Sequence, residues 1–265
     1  MQLKTRLSSI PLNRSHVKSV FFDVAKFRSF DPHAPRFFCL NSGACGSKYL
    51  AELIAANGQN DCFHEKFPDL DEPGVRYYLD GSEFPFERRL LRLTRSRVFL
   101  ESNNRLFAMT ELLSEEFPGA RFIHLYRNGR DHVNSGMNKT IWPDVMQSPR
   151  LRYASRLAGP TDAPAFERAC WYWRNYNERI ADDLEGRGAL RLKYEDLVAG
   201  RIDELAEFIG VPLPTASIPP VNTKDNRKLA VNRYETPDAW PDDFHAAFDR
   251  ICGATMQKLG YGPPN

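Results

Sequence analysis

The sequence predicts an α/β fold, a single domain built on a central parallel β-sheet with helices on its faces. Three observations carry that expectation. Short apolar strand signals alternate with amphipathic helical stretches, and no internal repeat or low-complexity linker interrupts them. Strands separated by helices must cross over to pair, which gives a parallel sheet whose ligands lie beyond the carboxyl ends of the strands. The length, 265 residues, suits one large α/β domain with a substantial core, although two small ones would also fit it.

The elements follow in order. Residues 36–40 read as a first strand closed by Asn41-Ser42-Gly43, and residues 49–56 are amphipathic and helical until Asn57-Gly58 stops them. A short second strand is expected over 61–67. A clearer one, at 97–101, follows an arginine-rich stretch containing Arg88, Arg89, Arg92 and Arg95. Residues 105–116 read as a helix closed by Pro118-Gly119. The strand at 121–126 turns at Asn128-Gly129 into a short polar helix, and the Pro- and Arg-containing segment 143–164 reads as an irregular excursion or lid. An aromatic-rich helix at 166–184 is mostly core, with one face free to wall an acceptor pocket. Residues 190–192 form a last strand running into Tyr194-Glu195-Asp196, and 202–209 a further helix.

Composition narrows the function. Charged residues make up 26% of the chain and the formal net charge is +2. Bulk charge therefore gives no basis for nucleic-acid binding, and any basic site must be local. The five cysteines (Cys39, Cys45, Cys62, Cys170, Cys252) are odd in number and lack CxxC or zinc-type spacing, which fits a reducing compartment. No apolar run near the N-terminus suits a signal peptide or membrane span, so a soluble, cytoplasmic protein is expected.

Two strand ends carry the chemistry. Arg127 follows the strand at 121–126, and Ser135 lies eight residues on, in the following helix. Guanidinium and hydroxyl can converge there on one phosphate, because Arg matches phosphate oxygens bidentately and Ser donates beside it. Spacing alone leaves open the alternative of a loop arginine and a solvent-facing serine. The earlier loop, Asn41-Ser42-Gly43-Ala44-Cys45-Gly46-Ser47-Lys48, has the small residues that let backbone N–H groups and a helix N-terminus face an anion. It is not a Walker A loop, which needs Gly-Lys-Ser/Thr with the hydroxyl on magnesium. Here Lys48 precedes Tyr49, and Arg127 stands where a metal-holding Asp belongs. The loop reads as a phosphate cradle without a divalent ion, or else as a plain Gly-rich connection.

Together these segments resemble the sulfotransferases that use 3′-phosphoadenosine-5′-phosphosulfate (PAPS). Residues 44–49, Ala-Cys-Gly-Ser-Lys-Tyr, stand where that family has its phosphosulfate loop; Arg127 and Ser135 match its 3′-phosphate pair; residues 190–197 resemble its strand ending in Tyr-Glu-Asp-Leu, whose tyrosine (here Tyr194) lies near the adenine. The resemblance implies a P-loop-like fold with 1–35 as an N-terminal extension, 36–210 as the cofactor-binding core and 211–265 closing over the cofactor. It implies PAPS as sulfuryl donor, adenosine 3′,5′-bisphosphate as product and no metal. A hydroxyl or amine of a small molecule or carbohydrate is the implied acceptor. Gly43, Ala44, Cys45, Gly46, Ser47 and Lys48 would hold the phosphosulfate, with Tyr49 either stacking on adenine or belonging to the core. Arg227 and Lys228 resemble the family's late basic segment over the 3′-phosphate, although Leu229 replaces its glycine.

The chain also departs from the family pattern. Ala44 replaces the usual basic residue of the loop, Cys45 a serine and Lys48 a threonine. Lys48 is the substitute cation expected to stabilise the departing phosphate; otherwise it is a solvated first-turn lysine. Cys45 is read as a small loop residue and not as a nucleophile. A base must take the acceptor's proton: Glu65 is preferred over its neighbour His64, with Glu101 third. His124, inside an apolar strand, is expected to be a satisfied core histidine. Two rivals stand beside transfer: an adenosine-bisphosphate binder that has lost it, and a P-loop small-molecule kinase.

Overall fold

The first strand is apolar without alternation, and the structure shows why. In the computed structural model, which describes residues 35–56, 62–65, 99–138, 156–213 and 234–262, β1 (Arg36–Asn41) is buried along its whole length. That is the pattern of a parallel strand covered on both faces. The sheet has five strands in the order β2-β3-β1-β4-β5, with β2 at Cys62–His64, β3 at Leu100–Ser102, β4 at Ala120–Tyr126 and β5 at Leu190–Lys193. Every pairing is parallel, and β1 runs in register with β4 from Arg36 opposite Ala120 to Asn41 opposite Leu125.

Side chains alternate across β1 and so divide the core. Phe37 and Cys39 pack with Leu50, Leu53 and Ile54 of α1 (Ser47–Ala55) and with Leu205 and Ile209 of α6 (Asp203–Ile209). Phe38 and Leu40 face the larger cluster on the opposite side. There α2 (Thr110–Glu116), α3 (Gly129–Met137), α4 (Ala165–Asp183) and α7 (Asp242–Lys258) contribute Leu112, Val133, Trp173 and Phe248 among others. The expected three-layer α/β architecture is present.

Differences from expectation are local. The helix expected over 105–116 is divided into a 3-10 segment, Asn104–Met109, and α2. The tighter winding turns Leu106, Phe107 and Met109 all into the core, and the Thr110 hydroxyl donates to the Phe107 carbonyl at the junction. α1 begins at Ser47, two residues early, because left-handed Gly46 (φ 85) turns the chain into it. Tyr194 does not end a strand: it opens α5 (Tyr194–Val198), with Glu195 and Asp196 in the first turn, where acidic side chains suit the helix dipole. Residues 242–258, for which the alternation gives no element, form α7. Its buried Ala247, Phe248, Ile251, Cys252, Thr255 and Met256 make one stripe. All five cysteines are free thiols. Among the described residues no helix is long and apolar enough to cross a membrane. The arginines at 88–97, the 143–164 excursion up to residue 155, and Arg227 and Lys228 lie outside the described residues.

Candidate active site at the carboxyl edge of the sheet

Parallel strands deliver their following segments to one edge. The described candidates all lie there, on a strand's carboxyl end or in the first two turns of the helix that follows. The loop after β1 and Arg127 after β4 flank the central strand pair, where the strand order reverses direction and doubly wound sheets bind ligands.

The loop itself is held in an uncommon backbone conformation. Gly43 (φ 75), Ala44 (φ 51) and Gly46 (φ 85) are left-handed, so Ala44 takes a conformation that favours glycine. Three contacts hold it. The Gly43 N–H donates to Asn41 Oδ1 at 3.0 Å, the Tyr172 hydroxyl donates to the Ser42 carbonyl at 3.2 Å, and His132 Nε2 donates to the Gly43 carbonyl at 3.0 Å. No side chain caps α1, which leaves its first-turn N–H groups and the positive end of its dipole facing outward from the loop. Ser47 is buried at that end. Burial pushes the Cys45 thiol well above the ordinary range, so it stays protonated and unsuited to nucleophilic attack. Lys48 is exposed on α1, with its Nζ 3.8 Å from Glu52 one turn along.

Arg127 meets the loop through Tyr194. A Cβ on Gly46 would lie 2.5 Å from Tyr194 Cδ2, so the ring packs directly on the loop backbone, and the Arg127 guanidinium carbon sits 5.0 Å from that ring's centroid. Arg127 Nε is buried with no hydrogen-bond partner, and no ion pair to the guanidinium occurs among the described residues. The residue as a whole is half-buried, and the Asp131 carboxylate in the first turn of α3 lies within electrostatic reach of it; a guanidinium with a sealed, unpartnered Nε fits a site for an anion. Its backbone is fixed from every side. Trp173 Nε1 donates to the Arg127 carbonyl at 3.1 Å; the next N–H, that of Asn128, donates to Glu195 Oε1 at 2.9 Å; Tyr261 donates to Glu195 Oε2 at 2.8 Å. Asn128 then caps α3 by accepting from the Arg130 N–H. Gly129 admits the rings of Phe248 and Trp173 to within about 3 Å of where a Cβ would be. Ser135 is half-buried in the second turn of α3.

The remaining candidates separate by burial. Tyr49 is buried in the smaller core cluster, its hydroxyl without a hydrogen-bond partner, which is the core alternative of the two. His64 is half-buried at the end of β2, and its Nδ1 donates to the Ser102 carbonyl at 3.1 Å, which fixes the tautomer and leaves Nε2 as the acceptor. Glu65 is exposed and left-handed (φ 50). Glu101, the third base candidate, is fully buried within β3. His124 donates from Nε2 to Asn177 Oδ1 at 3.0 Å, and burial lowers its pKa from 6.5 to about 4: it is a core histidine, as expected. Little in the sequence singles out His132, Tyr172 and Glu195, which reach the site mainly by hydrogen-bonding its backbone; the one signal for His132 is a histidine between Arg127 and Ser135 in the segment that carries both.

A family model described as "Sulfotransferase family" matches residues 10–215. No curated protein matches. Among solved structures, the chain is similar to the sulfotransferase domain from the curacin biosynthetic pathway (16% identity, 87% of this chain and 99% of that one, TM-score 0.49). It is also similar to the sulfotransferase domain of the Synechococcus PCC 7002 olefin synthase (18%, 87% and 96%, TM-score 0.43) and to a sulfotransferase from Alicyclobacillus acidocaldarius (14%, 86% and 96%, TM-score 0.47).

Proposed function

The chain belongs to the sulfotransferase family, which is PAPS-dependent, and on that premise we propose that it moves a sulfuryl group from PAPS to a hydroxyl or amine of a small-molecule or carbohydrate acceptor. The observation that carries the reading is Arg127, half-buried with a sealed, unpartnered Nε and no ion pair among the described residues, beside an uncapped helix start. Bound there, PAPS supplies an activated sulfuryl group on a phosphate leaving group. Arg127 and Ser135 hold the 3′-phosphate, and the family resemblance adds Arg227 and Lys228 to that set. The amides of residues 44–48 and the Ser47 hydroxyl hold the 5′ end, and left-handed Gly43, Ala44 and Gly46 fit a loop that must bring backbone close to an anion. Tyr194, seated on Gly46 and beside Arg127, joins the two phosphate sites and walls the adenine.

The acceptor's proton goes to the β2 end. His64 is favoured there by its oriented ring, which leaves Nε2 as the accepting nitrogen, with Glu65 the neighbouring alternative. No residue in this scheme calls for a metal ion.

One feature favours a second reading, a bisphosphate binder without transfer: Ala44 brings no charge to the loop and Lys48 is engaged with Glu52. Two measurements decide. In a thermal-shift comparison, adenosine 3′,5′-bisphosphate should stabilise the protein and ATP with magnesium should not; stabilisation by ATP and magnesium alone would point to a kinase and sink the proposal. Release of the bisphosphate from PAPS, dependent on an added acceptor panel, then separates an enzyme from a binder.

A further inference from the structure

A loop that turns its N–H groups toward an anion must turn its carbonyls the other way, and buried carbonyls need donors. At the loop after β1 those donors come from two helices of the opposite layer. Tyr172 of α4 donates to the Ser42 carbonyl at 3.2 Å, and His132 of α3 donates from Nε2 to the Gly43 carbonyl at 3.0 Å, with Ser42 Oγ 3.3 Å from the same nitrogen. His132 is fully buried, and its ring lies parallel to that of Tyr172, 18° between planes at 6.4 Å. A carbonyl acceptor requires hydrogen on Nε2, so the contact selects one neutral tautomer. The helix that carries His132 also carries Ser135 and starts next to Arg127.

We propose that His132 is a positioning residue for the 5′ end of the cofactor: by holding the Gly43 carbonyl inward, it sets the following amides of the loop in their anion-facing orientation and hangs the loop from the same helix that clamps the 3′-phosphate. This rests on the cofactor reading above. His132 touches neither phosphate. It acts through the peptide between Gly43 and Ala44, whose left-handed residues make it the part of the loop most in need of an external hold.

The test is calorimetric titration of the full chain with adenosine 3′,5′-bisphosphate, adenosine 3′-monophosphate and adenosine 5′-monophosphate. The affinity ratio of the bisphosphate to the 3′-monophosphate measures what the 5′-phosphate contributes; the ratio to the 5′-monophosphate measures the 3′-phosphate. His132→Leu should lower the first ratio about tenfold, the cost of losing one donor to a buried carbonyl, and leave the second unchanged. His132→Gln, whose amide N–H reaches as far as Nε2, should restore the first ratio. An unaltered first ratio in His132→Leu, or an equal fall in both ratios, overturns the assignment. If the leucine variant does not fold, His132→Gln is compared with the shorter His132→Asn, and equal first ratios in these two overturn it. Failure of the unmutated chain to bind the bisphosphate overturns the cofactor reading as well, whereas normal binding with an unmoved ratio overturns only the role of His132.

Discussion

The two cations of the site, Arg127 after β4 and Lys48 after β1, live in opposite surroundings. Arg127 has its Nε sealed from solvent with no hydrogen-bond partner, and its guanidinium lies beside the Tyr194 ring. Lys48 has a side chain 53% exposed and an ion pair one helical turn away. A partly desolvated guanidinium is screened less by water and gains more from an anion than a solvated ammonium does, whereas a solvated i,i+4 pair is worth only a few tenths of a kcal/mol. The fold thus concentrates preorganised positive charge at the β4 end. At the β1 end it offers backbone dipoles instead, held by Gly43, Ala44, Gly46 and the uncapped start of α1. The 3′ end is expected to supply affinity, and the 5′ end orientation.

The strongest way to break this contrast is Arg127→Ala. It should weaken adenosine 3′,5′-bisphosphate binding about 100-fold, or roughly 3 kcal/mol, by titration calorimetry. Arg127→Lys should recover little because the planar fork is lost. An unchanged affinity would remove Arg127 from the site.

The dryness of β4 can be tested three residues earlier. His124 has a pKa lowered from 6.5 to about 4 by burial, so the unfolded chain takes up a proton between those values while the folded chain does not. Its contribution is complete above pH 6.5 and is lost as pH falls toward 4, by about 3 kcal/mol in all. Denaturant unfolding at several pH values should show that slope, and His124→Gln, which keeps a donor for Asn177, should flatten it. A slope of the same size in the variant would mean the β4 surroundings are wetter than described.

Gly46→Ala probes the junction of the two regions. The added Cβ meets Tyr194 at 2.5 Å on a left-handed residue, and the expected loss is about 2 kcal/mol of stability, a fall of several degrees in Tm by calorimetry. Adding Tyr194→Ala should relieve the steric part and leave the backbone part, so the two changes should be non-additive.

The smallest effect is expected at Lys48. Lys48→Ala should change stability by at most about 0.5 kcal/mol and bisphosphate affinity by less than about twofold, as judged from Coulomb attraction at an exposed position. A fall in kcat with affinity unmoved would sharpen the contrast, giving Lys48 a part in stabilising the leaving phosphate and no part in binding.

Much of the site was legible before folding, because strand ends announce themselves. The apolar run before Asn41-Ser42-Gly43 marks β1, the one before Asn128-Gly129 marks β4, and a parallel sheet must bring both ends to one edge. The legible residues are those whose side chains face the ligand space. What supports them was not legible: Tyr172 and Trp173 look like core residues of an aromatic helix, Glu195 like a solvated acid, and each acts by hydrogen-bonding a backbone group from far away in sequence. The 17-residue α7 was missed for a related reason. Its stripe of Phe248, Ile251, Cys252 and Met256 includes the polar Thr255, which weakens the apolar pattern, and only packing against α4 reveals it as one face.

The sequence by itself determined the alternation of elements, the Arg127 to Ser135 spacing and the glycines of the loop, because each depends on chain-local geometry and on side-chain chemistry that neighbours only a few residues away can fix. Tertiary structure alone decided that Arg127 Nε is sealed from solvent without a hydrogen-bond partner, that Lys48 is solvated, that Glu101 is buried in β3, and that His132 holds the Gly43 carbonyl. Burial and long-range hydrogen bonds are properties of what the folded chain brings together, and no local spacing encodes them.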